Sequence, residues 1–294
     1  MKWLSDQACR LYDTLEATYE SARGRRIIAN ILIITFLVGM VLIELNRQGF
    51  LPPSLAAELP TNHFFAVDFT FRLLLVFELG ELIFGLAYSV ANSVGKQIEI
   101  LSLILLRTTF KEFTYFDEPI LWEQVQPALL PISADAVGAL AVFVVLGFYY
   151  QAQIHRPITD DAQRLAAFVA AKKMIALVLL LSFIGIGIYA VEEYLVAGRS
   201  IAFFDAAYTV LIFADVLLVL VSLRYSSTYV IVFRNSGFAI ATVLIRLALI
   251  APPPFNALLG VGSALFALGL TLAYNHYVRS GGAQEHHAPV PQPG

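Results

Sequence analysis

The chain alternates long apolar blocks with short polar breaks, and the blocks are as long as membrane helices. A helix needs about 20 apolar residues to cross the hydrocarbon core. Seven blocks reach that length, at 27–45, 64–89, 131–150, 173–195, 201–223, 229–250 and 255–274. An eighth, at 95–110, holds Lys96, Glu99 and Arg107, so its uninterrupted apolar run is only 100–106. If it spans, other helices must shield it from lipid. Ahead of the first block, Leu4, Ala8, Leu11, Leu15 and Tyr19 recur at helical spacing, which predicts an amphipathic helix within 1–26. It would lie on the inner membrane surface or pack on the protein. Its acids (Asp6, Asp13, Glu16, Glu20) outnumber Lys2 and Arg10, which argues against strong attraction to anionic lipid.

The breaks carry the orientation. With eight spans and the N-terminus inside, thirteen Lys and Arg fall on the inner side, among them Arg23, Arg25, Arg26, Lys172 and Lys173. Five fall outside (Arg47, Arg107, Lys111, Arg199, Arg246), and Arg72 lies within the second span. This asymmetry obeys the positive-inside rule and places both termini in the cytoplasm. The outer loop at 110–122 carries Phe110, Phe113, Tyr115, Phe116 and Trp122, which suits the aromatic belt of a membrane interface. The first 26 residues are too long and too acidic for a signal-peptide n-region, so no cleavable signal is expected. The segment 279–294, rich in Gly, Pro and His, is expected to be disordered.

Composition agrees with lipid as the solvent. Hydrophobic residues make up 59% of the 294 and charged residues 14%, against roughly 25% charged in a soluble domain. A net charge of -3 gives no reason to expect nucleic acid. A lone cysteine, Cys9, excludes an intrachain disulfide and a thiol metal cluster.

The most informative pattern is an internal duplication. Residues 66–89 align without gaps to 203–226, so Asp68 meets Asp205, Phe71 meets Tyr208, Glu78 meets Asp215, Gly85 meets Ser222 and Tyr88 meets Tyr225. The following spans match through Arg107 with Arg246, then Gly138 with Gly260 and Gly147 with Gly269. Each unit has an even number of crossings, so the repeat is parallel, about an axis along the membrane normal. The expected architecture is an all-α polytopic bundle of eight spans in two four-helix units, 27–150 and 173–278, joined by a cytoplasmic linker at 151–172.

The run FADVLLVLVSLRYSSTYVIVF, then GFAIATVLIRLAL and a Pro-led last span, resembles the phosphate-starvation-inducible protein E family of small four-span bacterial membrane proteins. The family's acid in the second span and its I-x-R-L ending of the third stand here as Asp215 and Ile245-Arg246-Leu247. The first half matches more loosely, through VFELGELIF with Glu78 and EILSLILLR with Arg107. The resemblance covers most of 27–278 and implies a tandem of two such units in a bacterial inner membrane. It implies little mechanism, and a histidine-containing stretch of the family's inner loop is absent.

Ionisable residues at membrane depth cost about 2.5–3.5 kcal/mol or more, so they face the protein interior or water and are paired. Glu78 lies about 21 Å along a helix starting at residue 64, and Asp215 lies at a similar depth in its own span. Residues 71, 78 and 85, with Tyr88 nearby, make one face, and 208, 215, 222 and Tyr225 repeat it. Glu81 has no counterpart, because Leu218 stands there. An outer layer holds Glu44, Glu192, Asp68, Asp205, Arg107 and Arg246, and Asp68 can pair with Arg72 four residues on. Two readings follow. Either acid–arginine networks fasten the helices, or the Glu78 and Asp215 faces meet near the pseudo-axis and line a path for a proton or small cation. The small residues Gly260, Gly262, Ala264 and Gly269, with Gly185 and Gly187, suit close helix packing, inside the bundle rather than in a dimer interface.

Other chemistries fit poorly. His63, His155 and His276 stand at helix ends, whereas bis-His haem needs ligands facing across a bundle. No metal site or cofactor is expected. There is no His-Glu-x-x-His, Gly-x-Ser-x-Gly or P-loop sequence, so no enzyme is expected. The sequence leaves two functions: a small-cation or proton channel or transporter, or a non-conducting subunit that stabilises a larger membrane complex. Lipid and a second copy or a larger assembly are the expected partners.

Overall fold

The structure is a computed structural model that describes residues 2–86, 90–154, 162–197, 202–225 and 229–285. Among these residues it is all helical. Helix α1 spans Lys2–Glu20 and α2 spans Ala22–Arg47, with Ser21 between them accepting from the Gly24 N–H as an N-cap. A short α3, Pro53–Ala56, follows, then α4 (Phe64–Gly85) and α5 (Val90–Lys111). A 3-10 turn at Glu112–Tyr115 leads to α6 (Trp122–Ala152), α7 (Ala162–Ala197), α8 (Phe203–Tyr225), α9 (Tyr229–Ile250) and α10 (Phe255–Glu285).

Six of these helices are long and apolar enough to cross a membrane: α2, α6, α7, α8, α9 and α10. The chain is therefore a multi-pass membrane protein by the length and apolarity of its helices. Helices α4 and α5 have the length but not the composition. Asp68, Arg72, Glu78 and Glu81 interrupt α4, and Lys96, Glu99 and Arg107 interrupt α5. Shielding compensates for this in α5, which packs against α4, α6, α9 and α10.

Two apolar clusters organise the molecule. One joins α5, α6, α9 and α10 through Leu101, Leu105, Val142, Ile245 and Ala264. The other joins α1, α4, α7 and α8 through Tyr12, Leu82, Leu179 and Leu211. The same neighbour relations occur in both halves of the chain: α2 on α4 and α7 on α8, α4 on α5 and α8 on α9, α5 on α6 and α9 on α10. The halves meet where α6 crosses α10. A Cβ on Gly138 would stand 2.6 Å from that of Ala257, so only glycine allows that approach. Gly260 likewise lies against Leu105, whereas Gly185, Gly262 and Gly269 face open space rather than a packed helix.

Helix α1 belongs to the bundle. Tyr12, fully buried, donates from its hydroxyl to the Phe84 carbonyl at 2.5 Å, and Tyr19 donates to the Phe77 carbonyl. Burial, then the charges of Glu81 and Glu78, raises the pKa of the Tyr19 hydroxyl and keeps it a donor. The packed face runs through Tyr12, Leu15 and Tyr19, while Leu11 of the expected stripe points outward. Two expected boundaries shift. Helix α7 starts inside the linker 151–172, and α10 continues to Glu285, beyond the start expected for a disordered tail at 279.

Candidate functional site: two buried acid–arginine pairs

Consecutive helices reverse direction, so the bundle has two ends. Residue pairs such as Tyr149 with Ala91 and Asn275 with Ala152 mark the end that carries the chain termini. The far end carries 48–63, 112–121 and the Pro252–Pro253–Pro254 turn.

Within the bundle, each half pairs its acid with its own arginine. Arg107 of α5 donates from Nη1 to Glu78 Oε1 of α4, in a charge-assisted hydrogen bond. Arg246 of α9 faces Asp215 of α8, but with Nη2 3.9 Å from Oδ2. At that distance it is an ion pair without a hydrogen bond. Asp215 Oδ2 and all three guanidinium nitrogens of Arg246 lack hydrogen-bond partners, as does Glu78 Oε2. The two arginines expected in an outer layer thus reach down to the deeper acids instead. The long side chain of arginine and its permanent charge make this possible.

The surroundings differ. Arg107 opens into a far-end cavity of about 510 Å3 that also holds Asp68, Arg72, Glu112, Asp205 and Tyr208. Asp215 instead borders a smaller space of about 40 Å3 at the terminal end, with Ser93, Gln97, Lys172, Ser222 and Thr242. A water needs roughly 10–15 Å3 and two to four polar partners, so a few waters fit beside Asp215. Tyr208, buried in the wall of the far-end cavity, lies close enough to both Arg246 and Glu78 to feel their charges.

The remaining candidates disperse. Glu81 lies 3.3 Å from Lys96 Nζ, which also holds Glu99 at 3.0 Å. Asp68 accepts from Arg72 Nε at 2.6 Å, as the four-residue spacing predicts. Glu44 joins a far-end latch with Arg47 (3.1 Å) and His63 (3.3 Å). His63 in turn meets Glu118 at 2.9 Å and gives it its backbone N–H at 2.8 Å. Glu192 is exposed at the end of α7, far-end Asp205 is exposed in its cavity, and His276 lies within α10. Tyr88 and His155 lie outside the described residues, and so does the side chain of Tyr225.

Three buried ionisable residues were missed in the sequence. Asp135 of α6 is fully buried, Lys172 of α7 lies over the Phe168 ring, and Arg234 of α9 lies over the ring of Tyr274 at 4.8 Å. Lys172 and Arg234 read as loop or helix-end cations because the blocks beside them end there. Asp135 carried a signal, being a lone acid within an apolar block. No protein-family model, curated protein or solved structure matches the chain.

Proposed function

We propose that the chain is a proton transporter of a bacterial inner membrane, with Asp215 as the carboxyl that takes and passes the proton. The observation that carries this reading is the buried carboxyl of Asp215, which borders the small terminal-end space and lies two helical turns along α8 from Tyr208, in the wall of the far-end cavity. The spaces do not join, because buried Leu211 and Ile245 accompany the pair, so the arrangement suits a carrier rather than an open pore. Arg246 narrows the cargo. A fixed guanidinium about 4 Å away repels a metal cation by about 4 kcal/mol at an effective dielectric constant of 20. A proton meets the same charge, but it needs only one carboxyl oxygen, whereas a metal cation also needs a shell of several hard oxygen ligands.

The tandem reading and the likeness to the phosphate-starvation-inducible protein E family belong to this proposal. The matched neighbour relations and matched acid–arginine pairs of the two halves support them. The proposal also takes α4 and α5 as the seventh and eighth spans, with both termini in the cytoplasm. A non-conducting subunit remains the competing reading, favoured by the direct bond of Glu78 to Arg107, which suits a fastener.

Proton flux into proteoliposomes, read with a pH-sensitive dye, separates the two. Native protein should move protons, and Glu78→Gln with Asp215→Asn should abolish flux in material that stays monodisperse. Ser222→Ala with Thr242→Val keeps every charge, dries the small cavity and should slow flux at least tenfold. Absence of flux from the native protein, with co-purifying partners, would establish the subunit reading instead.

A further inference from the structure

We propose that Asp135 is a second proton-binding carboxyl, exchanging protons with the far-end cavity. It stands in the first half of α6, with no exposed surface and no ion pair among the described residues. Neither of its carboxyl oxygens has a hydrogen-bond partner. An ionised carboxylate so placed costs several kcal/mol, and the usual remedies are a counterion, a donor or a proton.

The surroundings leave the proton. Helix α10 presents Asn256, a neutral amide within reach of the carboxyl, and its first Lys or Arg is Arg279, more than five turns away. The Oδ1 of Asn256 accepts the Ala257 N–H at 2.7 Å, so the end left for the carboxyl is the NH2, an uncharged donor that serves a neutral acid as well as an ionised one. The 3-10 turn after α5 presents Glu112, whose negative charge opposes a second carboxylate nearby. Helix α5 contributes Arg107 and Lys111 to the same cavity, but Arg107 is held by Glu78, and neither forms a pair with Asp135. One carboxylate and one amide are too few hard oxygen ligands to replace the shell of a metal cation.

Access comes through Asn256, which is buried yet lines the cavity wall beside Glu112. The crossing of α6 and α10 at Gly138 and Ala257, about one turn away, closes the other side. Uptake forms an O–H bond on one carboxyl oxygen as a hydronium ion in the cavity becomes water, and release reverses it. Asp135 thereby supplies the far-end station of the transport path. The purpose rests on the transport reading, whereas the protonation can be tested without it.

The test uses the whole chain in nanodiscs. Infrared difference spectra recorded across a pH titration should show the carbonyl stretch of a neutral carboxylic acid, lost in Asp135→Asn and retained in Asp215→Asn. On native protein, a hydrophobic carbodiimide, which reacts with protonated carboxyls, should label Asp135 by mass spectrometry. Labelling should fall about tenfold per pH unit once the acid is mostly ionised. Exchanging sodium for potassium should change neither result. A neutral-acid band that never titrates, no label at any pH, or protection by one metal cation alone would overturn the proposal. Titration without proton flux would overturn the transport reading and leave Asp135 as assigned.

Discussion

The two acid–arginine pairs occupy matching places in the two halves, yet only one of them is built to hold helices together. Glu78 and Arg107 share a direct charge-assisted hydrogen bond beside a large polar cavity, so the arginine keeps contact with water. Asp215 and Arg246 are both buried, stand 3.9 Å apart and leave three guanidinium nitrogens unsatisfied. Their attraction is worth about 4 kcal/mol at an effective dielectric constant of 20. Desolvation costs several kcal/mol for each ion. The attraction does not win, so this pair contributes little net stability. A pair that is costly to keep and loosely joined is a poor fastener.

That contrast is sharpest when one partner is removed. Asp215→Asn leaves the Arg246 charge enclosed without a counterion and should destabilise the bundle by about 3–5 kcal/mol. Adding Arg246→Met should recover most of that loss, because an apolar replacement of a buried pair is often neutral or stabilising. Reversible unfolding in mixed micelles, run as a double-mutant cycle, measures both. Little loss in Asp215→Asn would mean that the arginine finds other partners and that the pair is not isolated.

Glu78→Gln should do less. Glutamine still accepts from Arg107, and the arginine can turn to the water of the far-end cavity. The loss should be about 1.5–3 kcal/mol, the worth of a hydrogen bond to a charged group. A cost equal to that of Asp215→Asn, in the same micelle assay, would erase the distinction between the halves.

Much of this was legible in the sequence, and the remainder had physical reasons to hide. Block lengths anticipated the six apolar helices but also counted 64–89 as a full span, and Glu78 and Asp215, singled out as deep acids, each lie beside an arginine. Sequence spacing does not report tilt, however, and each arginine sits 17 residues into a 22-residue helix while its acid lies nearer the opposite end of the neighbouring one. Only the crossing of the helices and the reach of the arginine side chain bring them together. The placement of α1 was hidden too, since the helical stripe ran through Leu11 and passed over Tyr12, and the carbonyls that Tyr12 and Tyr19 bind belong to residues more than 50 positions away. Asp135 went unweighed because one acid hardly alters the apolarity of its helix.

The halves also differ at their far ends, and this difference responds to pH. The second half turns from α9 to α10 through Pro252–Pro253–Pro254, whereas the first ties its long connections together with charge. Burial raises the pKa of Glu118, but hydrogen bonds from the His63 side chain and N–H, with the Arg47 charge 3.3 Å away, outweigh it and hold the carboxyl below its usual range. Because the folded value is the lower one, the latch is fully stabilising above the ordinary carboxylate pKa. Its contribution fades as pH falls through the depressed value. Hydrogen exchange at the His63 amide, corrected for the intrinsic pH effect, should therefore accelerate on acidification. Glu118→Gln should show fast exchange at every pH. The amides of α9 and α10 near residues 250–258, with no such latch, should keep one protection level throughout. Equal acceleration in both places would mean that acid loosens the far end as a whole rather than through Glu118.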